Sequence, residues 1–93
     1  MKIDIKYSDN AIKFLNNNKS ILPIEKLRYI VISAVKKLLK IEDSNINLKC
    51  LKGKFKGYYR IRTRKIRIIF SLKENTILIV FVHKIGYRND IYK

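Results

Sequence analysis

The spacing of hydrophobic and polar positions changes along the chain, and each change predicts a different element. Residues 2–7 (KIDIKY) alternate polar and apolar side chains with a period of two, which predicts a half-buried strand. Ser8 or Asp9 can cap a short first helix, which should end at the run of asparagines at 16–18. The chain therefore begins with a strand and then turns helical.

A second and longer helix follows. Pro23 is well placed to open it, since proline fits the first turn of a helix. Apolar residues then recur at the i, i+3, i+4, i+7 spacing of one buried helix face. They are Leu27, Ile30, Val31, Ala34, Val35, Leu38 and Leu39. A single helix cannot bury such a stripe by itself, so the pattern predicts a sheet for it to pack against.

The second half of the chain reads as strands. A polar connection over 42–47 and a loop over 49–57 lead to strand-like runs at 58–63, 66–72 and 76–82. The predicted order is β-α-α-β-β-β, an α+β fold with two N-terminal helices packed on one face of a small antiparallel sheet. At 93 residues we expect a single domain that spans residues 1–93.

A two-residue turn at Arg64-Lys65 would fix the register of the first hairpin. Thr63 then faces Ile66, and Arg62 faces Arg67. One face of the hairpin would carry the core residues Tyr59, Ile61, Ile66, Ile68 and Phe70, and the other Tyr58, Arg60, Arg62, Arg67 and Ser71. Two arginines directly opposite each other repel unless an anion lies between them. The hairpin therefore predicts a binding surface for phosphates.

Charge is concentrated in the same half of the chain. The formal net charge is +15; residues 1–48 carry nine basic and five acidic side chains, and residues 49–93 carry thirteen and two. Arg60, Arg62, Arg64, Arg67 and Arg88 are five of the six arginines, and the planar guanidinium suits phosphate recognition. We expect a polyanionic partner, RNA foremost, with Lys52, Lys54, Lys56, Arg64 and Lys65 as further RNA contacts.

Several classes of protein are not expected. No apolar run reaches the roughly 18 residues of a membrane span, and the start Met1-Lys2-Ile3-Asp4 does not have the form of a signal peptide, so we expect a cytoplasmic protein without a membrane partner. A single cysteine, Cys50, and a single histidine, His83, supply neither a disulfide nor a zinc ligand set. We therefore expect no metal and no cofactor.

From Leu51 to Lys93 the motifs and their order resemble the RelE/ParE superfamily of toxins from type II toxin–antitoxin systems. The matching segments are Leu51-Lys52-Gly53, Tyr59-Arg60-Ile61-Arg62, Arg67-Ile68-Ile69-Phe70, the apolar run 76–82, and Arg88 to Tyr92. A strand followed by two helices also fits the family, so the resemblance covers nearly the whole chain. No one motif is specific alone, and it is their joint order that carries the resemblance.

For RelE-like members the resemblance implies a ribosome-dependent, metal-independent mRNA endonuclease that inhibits translation and is silenced by a cognate acidic antitoxin. Carried onto matching positions, it implies a catalytic set of Arg60, Arg62, Arg67, Arg88 and Tyr92. Arg60 and Arg62 stand where RelE itself has lysines, and arginine is a poor general base because its pKa lies above about 12. Tyr92 or His83 is then left as the proton acceptor.

Two alternatives to the endonuclease remain. ParE-like members of the same superfamily inhibit DNA gyrase and are not nucleases. The missing lysines also allow a catalytically inactive RNA-binding member. The arginine-rich hairpin favours RNA over a protein target, because the centre of a protein–protein interface is usually depleted in charge.

Overall fold

The computed structural model describes residues 2–89, and these form two helices and five strands. The elements are β1 (Ile3–Tyr7), α1 (Asp9–Asn17), α2 (Ile24–Leu38), β2 (Asn47–Cys50), a short 3-10 helix (Gly53–Phe55), β3 (Tyr59–Thr63), β4 (Ile66–Glu74) and β5 (Leu78–Tyr87). The predicted Tyr92 lies outside the described residues. The α+β class and the predicted order of helices and strands are confirmed, with one additional strand.

Both helices begin where the sequence predicts. The Ser8 hydroxyl accepts a hydrogen bond from the Ala11 backbone N–H at 3.1 Å and caps α1, while Pro23 immediately precedes α2. The buried residues of α2 are Leu27, Ile30, Val31, Ala34 and Val35, all within the predicted apolar stripe. Neither described helix is long and apolar enough to cross a membrane.

The sheet has the strand order β1-β5-β4-β3-β2 and differs from the prediction in two respects. It is mixed, because β1 pairs in parallel with β5, whereas the other neighbours are antiparallel as expected. It also contains β2, which pairs with β3 along a segment that was expected to be a connection and a loop. Three of the four β2 residues are exposed, and the polar–apolar alternation of Asn47-Leu48-Lys49-Cys50 is too short to mark this edge strand by itself.

The first hairpin confirms the predicted register. Arg62 pairs with Arg67, Thr63 pairs with Ile66, and Arg64 takes the left-handed conformation in the turn, with φ of 55°. A side chain there usually costs about 1 kcal/mol relative to glycine. The turn therefore places Arg64 at its tip at some cost in stability.

The hydrophobic core lies between the helices and one face of the sheet. Ile61, Ile68 and Phe70 are fully buried in it, and the Tyr59 ring stacks on that of Phe70 with centroids 5.4 Å apart. The opposite face of the sheet, here called the open face, has no helix packed on it among the described residues. This face is therefore available to a ligand.

Candidate nucleic-acid interface

A groove of about 360 Å³ lies at the end of the sheet, where the β3–β4 turn meets the end of β5. Its described lining consists of Arg62, Arg64, Lys65, Arg67, Tyr87, Arg88 and Asn89. Five of these seven residues are cationic, and none of the described lining residues is acidic. The Arg88 backbone N–H donates to the Lys65 carbonyl at 3.2 Å and holds the two sides of the groove together. We call this feature the cationic groove.

Arg67 is the most buried charged residue of the groove, with 6% of its surface exposed. Its Nη1 donates to the backbone carbonyls of Arg64 at 3.1 Å and of Ile66 at 3.2 Å. Burial of a charge is unfavourable unless hydrogen bonds replace its hydration, and these bonds also fix the guanidinium in place. Arg62, directly opposite on β3, is exposed. The pair thus presents one fixed and one adjustable guanidinium.

Arg60 does not line the cationic groove. It precedes Arg62 by two residues on β3, and its Nη2 donates to Asn47 Oδ1 at 3.0 Å. Its Nε is buried and has no hydrogen-bond partner among the described residues. Asn47 belongs to β2, the strand that the sequence did not predict, so no sequence signal indicated this contact.

The other predicted site residues fall into two groups. Arg64, Lys65 and Arg88 line the groove with Arg62 and Arg67. The predicted RNA contacts Lys52, Lys54 and Lys56 are exposed on the loop between β2 and β3, outside the groove. Lys54 Nζ lies 5.2 Å from the centre of the Phe55 ring. The structure therefore brings the two hairpin-tip cations to the groove and leaves the three lysines near the opposite end of β3.

His83 lies within β5, not at the end of the predicted shorter strand. Its Nε2 is 2.7 Å from Ser71 Oγ, and burial lowers its pKa from the usual 6.5. It does not line the cationic groove. Tyr87 and Asn89, which do, were missed by the sequence interpretation because the strand was expected to end at residue 82. Within residues 2–89, no three His, Cys, Asp or Glu side chains gather at a position that could hold a metal ion.

Comparison with known proteins adds the fold family. No protein-family model matches the chain, and no curated protein sequence does. Among solved structures, the E. coli DinJ–YafQ toxin–antitoxin complex matches with a TM-score of 0.66 at 18% identity, covering 100% of both chains. The YoeB/ParE toxin from Agrobacterium tumefaciens matches with a TM-score of 0.67 at 15% identity, over 91% of this chain and 98% of that one. The chain has the RelE-like toxin fold.

A third structure extends this likeness to archaea. The RelE chain of the RelB–RelE antitoxin–toxin complex from Methanococcus jannaschii matches with a TM-score of 0.58 at 19% identity, over 94% of each chain. These matches span the entire RelE-like fold, so the fold predicted from the motif order is confirmed. At such low identity the likeness concerns the fold, and function must be argued from the residues of this chain.

Proposed function

We propose that this protein is the toxin of a toxin–antitoxin pair and cleaves mRNA in the ribosome, thereby inhibiting translation. The observation that carries the proposal is the cationic groove, in which five basic residues meet with no acidic residue among the described lining. Such a groove suits a ligand with several closely spaced negative charges, and a nucleic-acid backbone has them. The RelE-like fold, shared with the YafQ, YoeB and RelE chains, supports the same function.

The chemistry required of the groove is modest. RNA can be cleaved without a metal when its 2′-OH attacks the adjacent phosphate in line, the extra negative charge is stabilised, and the leaving 5′-oxygen receives a proton. Arg62, Arg67 and Arg88 are suited to bind the phosphate and stabilise its transition state. Arg67 is the best prepared of them, because its guanidinium is already held by two carbonyls before the substrate arrives. Tyr92 remains the proposed proton acceptor.

We propose that Arg60 and the lysines of the β2–β3 loop extend the RNA-binding surface beyond the groove. Arg60, held by Asn47, would contact the phosphate of a neighbouring nucleotide, while Arg64 and Lys65 lie at the tip of the hairpin. The exposed Lys52, Lys54 and Lys56 are proposed to contact the RNA backbone of the ribosome or the message. Each such contact should add affinity and salt dependence without sequence preference.

An acidic antitoxin is the proposed protein partner. The net charge of +15 favours a negatively charged protein partner when no RNA is bound. The RelB–RelE and DinJ–YafQ structures are complexes of a toxin with an antitoxin. A partner that covers the cationic groove with carboxylates would compete directly with phosphates for the same guanidinium groups.

The proposal is tested by induced expression in a bacterium, with sequencing of RNA 5′ ends and ribosome footprints. We expect translation to stop and messages to be cut within codons that lie in ribosomes. Intact messages together with DNA breaks and filamentous cells would instead support inhibition of gyrase. Intact messages without DNA damage would support an inactive RNA-binding protein.

Matched variants connect that result to the groove. Arg62→Gln and Arg88→Gln remove exposed charges, and each should lower cleavage roughly 100- to 1,000-fold, as expected for the loss of a charge-stabilising donor. Arg28→Gln removes an exposed arginine from α2 and should leave cleavage unchanged. Arg67 is a poorer choice for this test, because its loss also removes hydrogen bonds that hold the hairpin turn.

A further inference from the structure

Three aromatic rings meet on the open face of the sheet, outside the cationic groove. The His83 ring lies 4.7 Å from the Phe81 ring, tilted by 32°, and 4.8 Å from the Tyr58 ring, which meets it edge-on at 86°. Phe81 is 38% exposed. We call Tyr58, Phe81 and His83 the aromatic platform.

A β-bulge lies at the platform. The pairing of β4 with β5 shifts between Ile69 and Phe70, so that Lys84 and Val82 occupy consecutive pairs and His83 is the extra residue. Val82 is buried in the core, so its neighbours Phe81 and His83 both lie on the open face, where the His83 ring meets Ser71 Oγ. The bulge interrupts the alternation after His83 and brings Lys84, which pairs with Ile69, to the same face.

The helix side of the sheet holds the bulge in place. The Ser8 hydroxyl donates to the His83 backbone carbonyl at 2.5 Å, and the Ser8 N–H donates to the Val82 carbonyl at 2.9 Å. Asn10 Oδ1 also accepts from the Ile85 N–H at 3.4 Å. The start of α1 thus satisfies backbone groups of β5 at and beyond Val82, where the pairing with β1 ends.

The platform is uncharged in a strongly basic region. Burial lowers the pKa of His83, so its imidazole is neutral at neutral pH. Cations flank the platform on both sides. Lys6 on β1 is in register with Phe81, and Arg60 on β3 and Lys84 on β5 both pair with the β4 residue Ile69. An exposed ring surface bordered by cations suits a flat aromatic ligand attached to phosphates.

The spacing also fits such a ligand. Tyr58 precedes Arg60 by two residues and Arg62 by four. Because a strand rises about 3.3 Å per residue, the backbone at Tyr58 lies roughly 7 Å from that at Arg60 and roughly 13 Å from that at Arg62 in the groove. We propose that the aromatic platform is a stacking subsite for one unstacked nucleobase of a single-stranded RNA whose phosphates lie along Arg60 and the cationic groove. This inference rests on the proposed function and adds how the substrate is gripped beyond its phosphates.

The test uses the full chain and a short fluorescent RNA with 2′-O-methyl sugars, which cannot be cleaved because the attacking hydroxyl is blocked. Phe81→Leu keeps an apolar side chain but removes the ring, and it should weaken binding in an anisotropy titration by roughly 5- to 150-fold, the range for loss of one base–aromatic stack. Tyr29→Leu is the matched control, since Tyr29 is 72% exposed on α2, and it should bind as the wild type does. Circular dichroism checks that both variants fold.

A second probe has the same phosphates but abasic sugars. Wild type should bind it more weakly than the full RNA by the same factor, whereas Phe81→Leu should bind both probes equally. If Phe81→Leu binds the full RNA like wild type while Arg62→Gln is weakened, the stacking subsite is wrong and the proposed function stands. If Phe81→Leu loses antitoxin binding and keeps RNA binding, the platform is a protein contact and the subsite is again wrong. Failure of wild type both to bind RNA and to cut messages in cells would overturn the proposed function itself.

Discussion

Repulsion between the paired Arg62 and Arg67 should lower the free energy of unfolding of the protein when no anion is bound. Arg62 is exposed, pairs directly with Arg67, and shares the cationic groove with Arg64, Lys65 and Arg88. Like charges directly opposite on neighbouring strands are unfavourable by roughly 0.2–1 kcal/mol. Arg62→Gln removes one of them with little change in shape, so we expect the substitution to raise the free energy of unfolding while it lowers RNA cleavage.

The magnitude can be converted into a thermal shift. For a domain of this size, 1 kcal/mol corresponds to about 4–8 °C in the midpoint of thermal unfolding, so Arg62→Gln should raise the midpoint by roughly 1–8 °C at low ionic strength. The gain should vanish near 1 M salt, where the screening length falls to about 3 Å. Addition of a short single-stranded RNA should reverse the order, because a ligand stabilises the variant that binds it more tightly.

The assay is thermal unfolding followed by circular dichroism in low and high NaCl, with Arg28→Gln as the control. Arg28 is exposed on α2 and does not line the groove, so its replacement should leave the midpoint nearly unchanged. A lower midpoint for Arg62→Gln in low salt, or a gain that persists in 1 M NaCl, would refute the electrostatic explanation. Repulsion between Arg62 and the neighbouring cations would then not be what lowers the stability of the free protein.

Three further predictions concern residues around the two sites. Ser8→Asp can still cap α1 but cannot donate to the His83 carbonyl, so it should lower the free energy of unfolding by about 1 kcal/mol. Ser8→Thr keeps both hydrogen bonds and should leave this free energy, measured by urea unfolding, unchanged. Burial lowers the pKa of His83, the only histidine of the sequence, so the imidazole takes up its proton at a higher pH in the unfolded chain than in the folded one. The contribution of His83 to the free energy of unfolding should therefore be complete above about pH 6.5 and decrease below it. His83→Gln should abolish this pH dependence. Asn47→Ala should weaken RNA binding severalfold by releasing Arg60, with stability changed by less than about 1 kcal/mol; unchanged binding would exclude that role for Asn47.

Local patterns were sufficient to predict the hairpin that carries the site. The alternation of residues 58–72 and the short turn at Arg64–Lys65 allow one register that keeps Ile61, Ile68 and Phe70 in the core. That register alone brings Arg62 opposite Arg67. The long helix was equally predictable, because its stripe continues over four turns.

Other features depend on contacts that are distant in the sequence. β2 is an edge strand with one half-buried side chain, and only its pairing with β3 makes it a strand. The bulge at His83 relies on Ser8, 75 residues away in the sequence, and the parallel pairing of β1 with β5 likewise joins the two ends of the chain. The burial of Arg67 could not be read from the sequence, because Arg60, Arg62 and Arg67 all occupy polar positions in the alternation of the hairpin.

These distant contacts link the two faces of the sheet. Ser8 caps α1 on the helix side, and the same hydroxyl donates to the backbone carbonyl of His83, whose ring lies on the open face. Because one oxygen serves both purposes, the helix side of the protein and the proposed RNA side cannot vary independently. A change at the start of α1 should therefore alter RNA binding through the aromatic platform while leaving the cationic groove, at the other end of the open face, intact. The aromatic platform depends on an element that is distant in the sequence, which explains why the proposed phosphate contacts could be predicted from local patterns and the proposed base contact could not.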